Sequence, residues 1–300
     1  MTNQIPTANI FALIIASVLI VVIWVALIMF ANKKLNNIVQ LALFAGIIVW
    51  FVAVQIERIF HYFLLPLFNS NIFSYAIYGG IMAGLFEETG RLLCFLNKLK
   101  PSEYNKNNSL YYGIGHGGFE AFYLVTFNNI IILIFCILIN KGKYDEYLEK
   151  EQEKTLTDFE TQLLNTMKTI YKNYQNSHFF NITFLVVWER ISAIIYHISA
   201  SVIVWYAAID FPKNVKLYYL AIGMHFSFDC FIVIFHYFVG KIFITEIFAF
   251  NLAIVCALIG FKCWKYFENN IEIKQNLMAI ESIESISPFN QDNSVSTINQ

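Results

Sequence analysis

Eight ionisable side chains interrupt otherwise apolar sequence: Glu87, Glu88, Arg91, His116, Glu120, His197, His225 and Asp229. Inside a membrane such groups are costly and mark a site by default. Glu87 and Arg91, His116 and Glu120, and His225 and Asp229 are each four residues apart, so each pair shares a face of a helix. The spacing predicts a Glu87–Arg91 ion pair and turns Glu88 about 100° away, leaving one carboxylate neutralised and its neighbour able to act on water. Asp229 is placed to fix the tautomer of His225 or to share a polar target with it. Four glycines (Gly113, Gly115, Gly117 and Gly118) run up to Glu120. They either admit a neighbouring backbone or leave room for a substrate chain.

The elements that must position these residues are membrane helices. Of 300 residues, 58% are hydrophobic and 14% charged, and the net charge is -1. A soluble protein of this size is far more polar. Nucleic acid is excluded as a partner, because no run of Lys and Arg is available to neutralise phosphates. The five cysteines form no Cys-x-x-Cys pair and read as packing or lipid-facing residues.

Seven apolar stretches are long enough to cross as helices: roughly Asn9 to Ala31, Ile38 to Arg58, Asn71 to Leu96, Tyr111 to Ile139, Phe179 to Ile209, Lys216 to Tyr237 and Phe243 to Trp264. The fold class expected is therefore all-α, a polytopic bundle of about seven transmembrane helices over residues 1–267. The first stretch is too long for a signal-peptide core and should stay uncleaved. In the short loops nine lysines (33, 34, 98, 100, 106, 213, 216, 262 and 265) fall at one end of the bundle, its lysine-rich end, against Arg58 and Lys241 at the other, while the long loop 140–178 carries six lysines offset by seven acids and counts little. The positive-inside rule then places the N-terminus outside, the C-terminus in the cytoplasm and the protein in the plasma membrane. Glu57, Arg58 and His61 read as snorkelling groups near an outer helix end, and Glu189 with Arg190 as a structural pair.

Residues 140–178 form the one long loop. In it Leu156, Phe159, Leu163, Met167, Ile170 and Tyr174 recur at helical spacing, and Thr157 and Glu160 are placed for a capping box. This predicts an amphipathic helix lying on the outer surface or packed over the bundle. Residues 268–300 turn polar, with Ser287 to Gln300 expected to be a disordered cytoplasmic tail.

Counting along each helix from the lysine-rich end at about 1.5 Å per residue puts Glu87, Glu120, His197 and His225 about 14 to 18 Å deep. His116 and Asp229 lie within roughly a turn of that layer. Isolated polar residues would scatter in depth, whereas a polar cavity requires them to converge.

Four motifs then identify a resemblance. Glu87-Glu88-Thr89-Gly90-Arg91, Gly115-His116-Gly117-Gly118-Phe119-Glu120, the helix from Glu189-Arg190 to His197, and His225-Phe226-Ser227-Phe228-Asp229 resemble the YhfC-like membrane proteins, within the wider superfamily of CAAX-processing and bacteriocin-processing (CPBP) intramembrane proteases. The match spans about Ile72 to Phe238, a catalytic-like core over residues 72–238. Against the wider pattern Glu-Glu-x-x-x-Arg, Arg91 comes one position early, and the aromatic-x-x-x-His element is Tyr112 to His116. The His225-x-x-x-Asp229 motif fits directly.

The resemblance implies hydrolysis of a membrane or peptide substrate in a bundle open to water from the cytoplasm. It implies Glu87 or Glu88 as base, His116 and His197 as water-orienting groups or zinc ligands, and His225 with Asp229 on the oxyanion side or as ligands. His116, His197 and His225 with a carboxylate would hold Zn2+, and a metal-independent glutamate mechanism stands equally open. No His-Glu-x-x-His sequence is present. The competing classes are a non-catalytic scaffold or substrate-binding protein and, behind it, a proton-coupled transporter. The intact Glu pair favours hydrolysis, since a scaffold needs no base.

Overall fold

A computed structural model describes residues 3–35, 40–99, 105–209 and 211–286. Ten α-helices account for nearly all of them: α1 Thr7–Lys34, α2 Gln40–Phe68, α3 Ile72–Cys94, α4 Asn107–Ala121, α5 Asn128–Asn140, α6 Lys143–Gln152, α7 Asp158–Tyr174, α8 Val186–Ile209, α9 Val215–Val239 and α10 Ile242–Ile286. Short π-helical turns at Phe95–Leu99, Phe122–Phe127 and Asn181–Leu185 extend α3, join α4 to α5 and lead into α8. The chain is a multi-pass integral membrane protein. Six helical spans are long and apolar enough to cross a bilayer: Thr7–Lys34, Gln40–Phe68, Asn107–Asn140, Asn181–Ile209, Val215–Val239 and Ile242–Tyr266. The seventh expected stretch, α3, has the length but carries Glu87, Glu88 and Arg91, and falls outside that set.

Helix α8 is the axis. In its apolar stretch 83% of residues are buried, against 17–28% in the other five spans. It packs on α4 and α10, while α2 lies against α4 and α3, and α3 against α9. Glycine makes two of these crossings possible. A side chain at Gly115 would run into the backbone of Leu43, and one at Gly46 into the carbonyl of Tyr112. A Cβ at Gly113 would sit 2.6 Å from Ile198 Cα. The glycine run therefore serves close helix approach, with α2 on one flank of α4 and α8 on the other.

At the end of the bundle opposite the lysine-rich short loops, α6 and α7 form a hairpin. Thr157 and Glu160 make the capping box in full. Leu164, Met167 and Ile170 are buried against Leu13, Cys136 and Ile139, so α7 packs over the ends of α1 and α5. The buried stripe runs through Leu164 rather than Leu163, and Phe159 is exposed. Asn9 anchors this cap by donating to the carbonyls of Tyr174 and Ser177, at 2.6 and 3.0 Å.

Three boundaries differ from the sequence expectation. Helix α2 runs ten residues past Arg58, so Glu57 is an interior residue and is buried. Helix α4 starts at Asn107, a turn before the apolar run, because polar residues there face other protein segments: Asn107 donates to the Leu35 carbonyl, 3.1 Å. Helix α10 continues to Ile286, so the polar segment from residue 268 begins as helix, and the tail expected from Ser287 onward lies outside the described residues. All five cysteines are free, and four of them are buried.

Candidate active site

The structure brings all eight predicted residues together, and it re-pairs them. Arg91 bonds Glu88, three residues away, rather than Glu87: its Nη1 donates to both Glu88 oxygens at 2.7 and 2.6 Å. Spacings of three and four both share a helix face, and here the closer carboxylate takes the guanidinium. Glu88 also accepts from His225 Nδ1 at 2.9 Å and from Tyr196 Oη at 3.3 Å. Glu88 and Arg91 are wholly buried, and the guanidinium lies over the Tyr112 ring, 5.8 Å from its centre. A buried ion pair is tolerated when every remaining valence is met. For Glu88 it is.

Glu87, turned away from that pair, meets His116 of α4, with His116 Nε2 at 2.9 Å from its Oε2. His225 Nε2 lies 3.9 Å from the same oxygen and 3.5 Å from Asp229 Oδ2. The expected His116–Glu120 and His225–Asp229 pairs share faces as predicted, but Glu120 finds its contacts on α8. Glu120 Oε2 is 2.6 Å from His197 Nε2, and Glu120 Oε1 accepts from Arg190 Nη1 at 2.8 Å. Arg190 also pairs with Glu189. The pair expected to be merely structural is thus joined to the site.

The hydrogen-bond partners set the ring tautomers. Arg91 Nη2 is 3.2 Å from His197 Nδ1, and a guanidinium only donates, so Nδ1 accepts and Nε2 carries the proton toward Glu120. Glu88 fixes a proton of His225 on Nδ1, and Nε2 faces the carboxylates of Glu87 and Asp229. Around the site Arg91 Nε, Tyr112 Oη, His116 Nδ1 and Glu120 Oε2 are buried without a hydrogen bond, although Glu120 Oε2 lies 2.6 Å from His197 Nε2 as an ion pair.

These facts bear on a metal. One ligand atom from each of Glu87, His116, Glu120 and His197 falls within 4.8 Å of all the others. A tetrahedral zinc with bonds of about 2.0 to 2.2 Å holds its ligands about 3.5 Å apart, so the four side chains need only draw in slightly. Imidazole nitrogen with carboxylate oxygen is zinc chemistry, and the orphaned Glu120 Oε2 is a donor in want of a partner. The set fits. His197 ligates through Nε2 once its Nδ1 contact with Arg91 opens. His225, the third imidazole expected as a ligand, stands beside the set.

Sequence reasoning missed Tyr196, Arg190 and Glu57 as parts of this assembly. Tyr196 is one aromatic among many, although its position next to His197 is a signal. Glu57 carried a better one, an acid in an apolar run with His61 four residues on; His61 Nε2 is 3.1 Å from it, and His61 Nδ1 lies 2.9 Å from Tyr78 Oη.

Comparison with known proteins gives the family. A family described as the YhfC intramembrane metalloprotease matches residues 16–249. The uncharacterized membrane protein YhfC of Bacillus subtilis (strain 168) is 34% identical over 134 residues, which is 44% of this chain and 47% of that protein. The alignment thus spans about half the length of that relative. No solved structure matches. The chain belongs to the YhfC intramembrane metalloprotease family.

Proposed function

We propose that this member of the YhfC family is an intramembrane endopeptidase in which Glu87 is the general base. One observation carries the reading. Of two adjacent buried glutamates, Glu88 has every valence met by Arg91, His225 and Tyr196, whereas Glu87 faces three imidazoles and no cation within hydrogen-bond reach.

In this scheme Glu87 Oε2 accepts a proton from water as the water oxygen bonds to the scissile carbonyl carbon. The carbonyl oxygen takes up the electron pair. His116 Nε2–H and His197 Nε2–H, released from Glu87 and Glu120, are donors for that oxyanion in a water-poor site. Glu87 then returns its proton to the leaving amine as the carbon–nitrogen bond breaks, giving a carboxylate product and an amine. His225, held by Glu88, relays the second product proton through its Nε2 to Asp229. Glu120 and Arg190 fix the position of His197. A divalent ion such as Zn2+, held by His116, His197 and Glu120 with Glu87 opposite, would supply polarisation of the carbonyl and acidification of the water.

A scaffold or substrate-binding role is the second class, and the convergence of Glu87, His116, Glu120 and His197 into a set able to hold a metal ion favours hydrolysis over it. The deciding experiment is cleavage of a test peptide by the purified protein, with elemental analysis for metal. Glu87→Gln should remain folded and metal-free or metal-bound as the parent is, and should lose cleavage. Full cleavage by that variant removes Glu87 as the base.

A further inference from the structure

The site has two sides built in different ways. Toward the lysine-rich end lies an aromatic floor. Phe95 meets Tyr112 and Trp205 edge-on, with ring centres 4.8 and 5.2 Å apart, and all three residues are 0% exposed. Arg91 and Glu88 rest on this floor, and their side chains are also 0% exposed, as is that of His116. The polar atoms of the floor itself, Tyr112 Oη and Trp205 Nε1, are buried and make no hydrogen bond that would continue the site toward the lysine-rich end.

Toward the α6–α7 end the same side chains open step by step. Glu120 and Arg190 are 12% exposed, His61 31% and Asp229 38%. The direction is consistent on five helices. On α4 Glu120 follows His116, on α8 Arg190 precedes His197, and on α9 Asp229 follows His225, each step leading away from the lysines. On α3 Glu87 lies on that same side of Arg91. On α2 Glu57 lies close enough to His225, Asp229 and Glu120 for their charges to act on it, and His61 bridges it to Tyr78. A carboxylate exposed at this depth faces either water or hydrocarbon, and hydrocarbon is the costly choice. A graded series of acids and histidines on converging helices is how a water-lined passage is built.

We infer that the site is reached from the α6–α7 end of the bundle alone, through a polar passage rimmed by Asp229, Glu57 and His61, with the floor of Phe95, Tyr112 and Trp205 closing the lysine-rich end. The substrate is accordingly a polypeptide segment presented at the α6–α7 face. This is the reverse of the cytoplasmic opening that the family resemblance and the lysine distribution together imply. The passage for water stands on geometry; its use by a peptide rests on the proteolytic reading.

The test is side-specific thiol labelling in sealed vesicles. In a background with the five native cysteines replaced, Lys154→Cys marks the α6–α7 side and Lys216→Cys the lysine side. Asp229→Cys and His61→Cys, on two different helices, probe the passage with a membrane-impermeant methanethiosulfonate. Both probes should react from the side that labels Lys154→Cys and be at least tenfold slower from the other. Labelling from the Lys216→Cys side overturns the inference, and so does absence of labelling at both probes in protein that retains its monodisperse gel-filtration profile. Proteoliposomes sorted by orientation and given an impermeant peptide test the second clause: cleavage is expected only with the α6–α7 face outward. Labelling as expected without cleavage in either orientation retires the proteolytic reading and leaves the passage standing.

Discussion

Glu87 and Glu88 are adjacent, both buried and of the same residue type, yet they belong to two different regions. Glu88 is part of a closed ionic floor in which Arg91, His225 and Tyr196 meet its oxygens. Glu87 belongs to a layer with His116, Glu120 and His197 that ends in an unmet acceptor. The difference shows how one helix turn divides labour. Complete saturation gives rigidity and uses up the lone pairs, whereas chemistry needs a group held in place with valence to spare.

Five measurements break or sharpen that contrast. The largest effect should come from Glu87→Gln, which keeps the shape of the side chain and removes the base: a loss of about 10² to 10⁴ in kcat, with the thermal midpoint unchanged. Next is Glu88→Gln, which leaves Arg91 charged and buried. It should cost about 3 to 5 kcal/mol of stability, read as loss of monodisperse protein on gel filtration and a large drop in Tm. Equal behaviour of the two variants would erase the distinction. Gly113→Leu drives side-chain atoms into the α8 backbone at Ile198. It should cost about 1 to 3 kcal/mol by overpacking and lower activity with it, by displacing His116 from His197.

The smallest effect belongs to Glu160, a carboxylate as well satisfied as Glu88 but lying in water. The backbone N–H and hydroxyl of Thr157, with Lys150, hold its carboxyl down to about 2. The folded value lies below the unfolded one of about 4.3. Its contribution is therefore complete above about pH 4.5 and is lost as the pH falls toward 2. Amide exchange in the first turn of α7 should quicken over that window, and Thr157→Ala should cost about 1 kcal/mol at neutral pH. Saturation in water and saturation in a dry core differ by the cost of stripping the ion, which is what this last pair of measurements isolates.

Much of the site was legible in the sequence, because depth follows from counting along helices. Glu87, His116, His197 and His225 converge as their positions predict. Rotation about each helix axis is harder to read. Whether Arg91 takes Glu87 or Glu88 turns on which neighbouring helix lies closest, and the Glu120–Arg190–His197 contact joins α4 to α8 across seventy residues. A π turn at Asn181–Leu185, just ahead of the helix that carries Arg190 and His197, shifts the phase further, and no composition rule announces it. The α7 helix was readable because its cap and its stripe are local. The extent of α2 was hidden by charged residues, which close the apolar run at Arg58 although the helix continues to Phe68.

The glycine crossings of α2 and α8 on α4 have a mechanical consequence. Backbone against backbone leaves scarcely any void volume along that seam. Hydrostatic pressure unfolds proteins by collapsing voids, so compression should loosen the side-chain contacts at the bundle's periphery while this spine, and the histidines it carries, stays in register longest.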